Sequence, residues 1–219
     1  MYNLILKDIL IQKKIILLSF AYIVFFAIAM QGAGMVMYPT ALTAITYMLV
    51  LTSCAYDEKN KADVMLNSLP LKRANIVLAK YLSIIVYIVI GTVAYWLITT
   101  LIALIGLPVK VHPISLEGLA GGLFAIGLIN GVFLPFYFKF GYIKIKFLNL
   151  ILFFLLFFGL TGVVNFLYVN REVGWVQSIT VFFNSQTDIQ IFTTIMVVIL
   201  ITLVVSFVLS LKVYQNRDL

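Results

Sequence analysis

Six long apolar runs divide this chain, separated by short polar stretches. They cover Ile15–Ala33, Met37–Tyr56, Ile76–Leu107, Leu116–Phe138, Phe147–Tyr168 and Ile189–Leu211. Each approaches or exceeds the roughly 20 residues that carry an α-helix across a bilayer. The third is long enough to tilt or to project into water. Pro135 interrupts the fourth, where it removes a backbone donor and favours a kink. Residues 1–14 form a separate element. Tyr2, Ile5, Leu6, Ile9 and Leu10 recur at helical spacing, with Asn3, Lys7, Asp8 and Lys14 mostly opposite. That pattern predicts a helix lying along the inner membrane surface, although Lys13 falls on its apolar stripe. The competing reading is a simple inward extension of the first span. The predicted fold is therefore an all-α integral membrane protein: one transmembrane domain over 1–219, six spans, and an amphipathic start.

Composition strengthens this picture. Hydrophobic residues make up 63% of the 219 and charged residues 11%, against about 45–50% and about 25% in soluble domains. The net charge of +7 sits in short clusters between apolar runs, which reads as membrane orientation and not as a nucleic-acid face. Lys7, Lys13, Lys14, Lys59, Lys61, Lys72, Arg73, Lys80, Lys139, Lys144, Lys146, Lys212 and Arg217 fall on one side. Only Lys110 and Arg171 fall on the other. The positive-inside rule makes the first side cytoplasmic, with both termini there, in a cell membrane. Gln31-Gly32-Ala33-Gly34 is a weak cleavage site, so the first apolar run reads as a retained signal anchor. A lone cysteine, Cys54, excludes an internal disulfide.

The pattern also lacks several chemistries. No predicted span carries an ionisable group at its middle, the usual marker of an ion path. Glu117 and Asp188 sit at outer edges, and Lys80 sits at an inner edge from which its stem can snorkel. His112, the only histidine, reads as a solvated loop residue, since a metal site needs several convergent ligands. There is no G-x-x-x-x-G-K-[ST] loop for nucleotide, no cofactor motif, and no paired catalytic groups within the spans. Two G-x-x-x-G spacings, Gly118/Gly122 and Gly127/Gly131, serve close helix packing, either within one subunit or between two. Asn130, Thr161 and Asn165 are polar positions within spans that either line a cavity or bond to a neighbouring helix, the second being the favoured reading.

The most charged region, Asp57–Asn75, carries the clearest local signal. Ala62, Met65, Leu66 and Leu69 fall at i, i+3, i+4 and i+7, one apolar stripe on a short helix that Pro70 should end. An amphipathic helix in a cytoplasmic loop is a docking element for a groove. The alternative is a helix resting on lipid headgroups.

Asp57-Glu58-Lys59, the run Asn67-Ser68-Leu69-Pro70, and Arg73 followed by Ile76-Val77 and Lys80-Tyr81 resemble the signature of small ABC-2-type permeases, the membrane subunits of bacterial ABC exporters. The resemblance implies a type V exporter fold, two such subunits, identical or different, and two separate ATP-binding subunits that hold ATP and Mg. It implies that 57–75 is the coupling loop. Met65, Leu66 and Leu69 would then enter a groove on the ATPase, while Asp57, Glu58, Lys59, Lys61 and Arg73 make polar contacts at its rim. The loop 170–188, with Trp175, Phe182 and Phe183, would match the outer re-entrant segment of that fold. Within the family the chain is similar to permeases of phenol-soluble modulin exporters, which implies an amphipathic peptide as substrate. Three other classes stay open: a secondary carrier, a membrane sensor or immunity protein that sequesters a peptide, and an intramembrane enzyme.

Overall fold

The computed structural model describes residues 2–30, 32, 34–106 and 109–217. Nine α-helices lie among them: α1 (Tyr2–Ile11), α2 (Lys13–Ala29), α3 (Met37–Lys59), α4 (Ala62–Ser68), α5 (Arg73–Ile105), α6 (Leu116–Phe140), α7 (Tyr142–Val169), α8 (Gly174–Asn184) and α9 (Asp188–Gln215). No strand occurs among the described residues. Leu107 and Pro108, at the end of the predicted third span, and Gln31 and Ala33, at the end of the first, lie outside the description. So do the side chains of Thr161, Asn165, Phe182 and Phe183.

Among the described residues, four helices are long and apolar enough to cross a membrane: α3 with its preceding turn, α5, α6 and α9. The number becomes five if α1 and α2 count as one broken span. At 33 residues, α5 is about 50 Å long and overruns a hydrocarbon layer of about 30 Å. It stops at Gly106, whose φ of 71° takes the left-handed conformation that ends many helices. The predicted fourth span is unbroken: α6 runs through Pro135 to Phe140.

The amphipathic start is a helix of its own, bent by 62° from α2. Gln12 fixes the bend. Its side chain is fully buried; Nε2 donates to Tyr87 Oη at 2.9 Å and Oε1 accepts from Thr52 Oγ1 at 3.2 Å. One buried amide thus pins the corner to both α3 and α5.

The core is built by α3, α5 and α6, with Tyr38, Leu42, Leu49, Val77, Tyr87, Tyr95, Phe133 and Leu134 among its buried side chains. Helix α6 packs most extensively on α9 and next on α3, and its glycines explain how. A Cβ at Gly122 would lie 3.2 Å from Leu42 and 3.4 Å from the Pro39 backbone on α3. A Cβ at Gly127 would lie 2.9 Å from Ile199, and one at Gly131 3.1 Å from Thr202, both on α9. Both G-x-x-x-G spacings therefore serve packing within this chain. Asn130, between them, donates to the Ile126 carbonyl of its own helix and not to a neighbour.

Candidate functional site at the basic end of the bundle

One end of the bundle gathers α1, the end of α3, α4, the start of α5, the α6–α7 turn and the end of α9. The first component is a buried quartet of charges. Lys80 Nζ donates to Asp57 Oδ2 at 2.6 Å, to Ser53 Oγ at 2.6 Å and to Asp8 Oδ2 at 3.3 Å. Lys7 Nζ closes the ring, 2.6 Å from Asp57 Oδ1 and 3.2 Å from Asp8 Oδ1. Ser83 Oγ adds a bond to Asp8 Oδ2 at 3.1 Å. Asp8, Asp57 and Lys80 are all buried. The quartet sums to zero charge and every member is bonded, the condition under which buried ions are tolerated.

Two expectations change here. Lys80 does not snorkel to water; its ammonium turns inward because two carboxylates and a hydroxyl wait there. Asp8 is not on a solvated face of α1 but is that helix's buried anchor. Sequence reasoning missed the quartet because its bonded members lie up to 72 residues apart. The available signal was that Asp8, Asp57 and Lys80 all fall near the same predicted membrane surface, and buried charges come paired.

The second component is α4. It is preceded by Lys61, the only non-glycine residue with positive φ among those described. The predicted apolar stripe divides. Ala62 and Leu66 are buried, and Leu66 joins the chain's own core. Met65 and Leu69 are 54% and 47% exposed, and Val64, which the periodicity left off the stripe, is 63% exposed. The reason is packing: α4 folds back onto α3, and a seven-residue helix turns one side inward. The proposed rim residues divide as well. Asp57 is inside the quartet. Glu58 accepts from the Tyr142 and Ile143 backbone N–H groups, capping the start of α7 where the helix dipole favours a carboxylate. Gly141 makes this contact available, since its φ is 79° and a Cβ there would press on the carboxylate at 3.1 Å. Lys59 and Lys61 are exposed.

Arg73 points into the chain. Its Nη1 donates to the carbonyls of Tyr214, Gln215 and Arg217 at 3.0, 2.7 and 3.2 Å. Asn67 Nδ2 donates to Tyr214 Oη at 2.9 Å, and Arg217 lies 3.4 Å from Asp63. Burial pushes the Asp63 carboxyl above its ordinary pKa, against the opposing pull of Arg217.

Above this end an apolar groove of about 460 Å³ opens between α5, α6 and α9. Tyr81, Ile85, Ile88, Leu123, Ile199, Leu203 and Phe207 are among the residues that line it. The Tyr81 hydroxyl is occupied at the groove's edge by Ser206 and Ser210, at 2.6 and 2.8 Å. Among the described residues no group of three or more His, Cys, Asp or Glu side chains could hold a metal ion.

A multi-pass helical membrane protein with a short helix set between its second and third long helices, at its basic end, is the class these features define. The family model described as ABC-2 family transporter protein matches residues 3–215. The chain belongs to that family, and so to the ABC-2-type permeases, which in general work with an ATP-binding partner subunit. Comparison with curated proteins and with solved structures gives no match.

Proposed function

We propose that this chain is the membrane subunit of a bacterial ABC exporter, driven by a separate ATPase that docks on α4 from the cytoplasm. The observation that carries this reading is family membership over 3–215 together with three exposed apolar side chains on and beside α4, Val64, Met65 and Leu69. A water-facing helix keeps such side chains for a groove elsewhere. The positive-inside bias puts this end in the cytoplasm, where an ATPase binds. ATP and Mg belong to that partner, two copies of which would serve a pair of permeases, identical or different. Lys59 and Lys61, both exposed, are the remaining polar contacts for its rim. Asp57, Glu58, Leu66 and Arg73 act from within the permease, holding the docking element in place.

The substrate class we favour is an amphipathic peptide, phenol-soluble modulin-like, or another largely hydrophobic molecule. The groove between α5, α6 and α9 supports this, since nearly all of its lining is aliphatic or aromatic and offers a sugar or ion no partner.

The test is co-purification of tagged permease with its ATPase. Met65→Asp with Leu69→Asp should release the ATPase while the permease keeps its thermal stability, because both side chains are already about half exposed. Full ATPase stoichiometry in that double variant would show that α4 is not the docking element. The stretch would then be a lipid-surface loop.

A further inference from the structure

The inner end of α9 packs on α6 and is tied by polar contacts to α4 and the start of α5. A helix end leaves carbonyls without intrahelical donors. Here Arg73, the first residue of α5, supplies donors to two of them, Tyr214 and Gln215, and to the Arg217 carbonyl just past the helix, and its guanidinium lies 5.9 Å from the centre of the Tyr214 ring. Tyr214 is fully buried. It receives Asn67 of α4 on its hydroxyl and packs edge-on against Phe138 of α6, 5.2 Å away. The Asp63–Arg217 pair adds a second tie from α4. Two turns further along α5, Tyr81 bonds Ser206 and Ser210 of α9. From Phe207 outward the same helix forms one wall of the apolar groove. Asp63 and Asn67 of α4 and Arg73 of α5 thus converge on the end of one groove-lining helix.

We propose that Arg73 and Tyr214 are positioning residues that join α4 to α9, so that displacement of α4 by the ATPase reaches the groove through the last helix. This rests on the ATPase-driven reading above. Arginine suits the site because Nη1 reaches three carbonyls while the flat guanidinium lies near the Tyr214 ring, a contact that a compact lysine ammonium reproduces poorly. Tyrosine is required because its ring fills the pocket while its hydroxyl reaches Asn67.

The test uses the permease–ATPase complex in liposomes, in a Cys54→Ala background, with nitroxides at Phe140 on α6 and Val208 on α9, both exposed. The interspin distance is read without nucleotide and with ATP plus vanadate. The parent complex should show a nucleotide-driven shift. Tyr214→Phe should at least halve it with ATPase stoichiometry retained, Arg73→Ala should abolish it, and Arg73→Lys should at most partly restore it. Tyr214→Phe removes one hydroxyl only and keeps the test valid should Arg73→Ala fold poorly. A full shift in Tyr214→Phe and Arg73→Lys, or a parent complex that hydrolyses ATP without any shift, overturns the link and leaves the ATPase-driven reading standing. A chain that assembles with no ATPase overturns that reading, and the link with it.

Discussion

Lys80→Met is the sharpest perturbation of the buried quartet. It removes a cation bonded to Asp57, Ser53 and Asp8 and leaves two buried carboxylates sharing Lys7. Removing one partner of a buried ion pair costs about 3–5 kcal/mol, because the charge left behind is uncompensated. Lys7 keeps 22% side-chain exposure, so water softens the loss and about 3 kcal/mol is expected. By the scaling for chains of this size, that lowers Tm by about 6–12 °C. The double variant Lys80→Met/Asp57→Asn restores neutrality and keeps the Lys7–Asp8 pair at 3.2 Å. It should therefore be more stable than the two single costs predict, by about 1–3 kcal/mol of coupling. Thermal unfolding in detergent, followed by reaction of a thiol dye with buried Cys54, measures all four proteins of the cycle. If the single costs simply add, the quartet is not an electrostatic unit and its charges act independently.

Further outcomes follow from the same geometry. Gly127→Val places branched carbon against Ile199, where even a Cβ would lie 2.9 Å away; over-packing should cost about 1–3 kcal/mol in the same unfolding assay. Thr46 Oγ1 is buried without a hydrogen-bond partner among the described residues, so Thr46→Val should leave stability unchanged or raise it by up to about 1 kcal/mol. Burial raises the Asp63 pKa, so the folded state holds its proton more tightly than the unfolded state. Its contribution is present at acidic pH and lost as pH rises through the raised value. Asp63→Asn should flatten that part of the stability–pH profile and leave stability near neutrality unchanged or slightly higher, since the ionised carboxylate is the disfavoured form there even with Arg217 beside it.

Much of the scaffold was legible from residues alone. Runs of apolar side chains cannot be solvated by water, so length and hydropathy placed the starts of α3, α6 and α9 within a residue of where they stand. The separate helix over residues 2–11 and the short helix ahead of Pro70 were readable for a related reason, since helical spacing of apolar positions is a local property. The membership that follows from residues 3–215 was likewise foreshadowed by the stretch from Asp57 to Tyr81.

What tertiary structure decided was which polar groups face one another. Periodicity gave Leu66 the same role as Met65 and Leu69, yet α4 packs on α3 and takes Leu66 into the core while leaving the other two outside. Charge counting placed Asp8, Asp57, Lys80 and Arg73 at one membrane surface. It could not tell that three of them neutralise each other, with Lys7, beneath the spans, or that the fourth caps a helix ending 142 residues away. A spacing rule sees one helix at a time. Pairing of buried charges depends on how helices cross, and only the folded bundle brings those distant positions to between 2.6 and 3.3 Å.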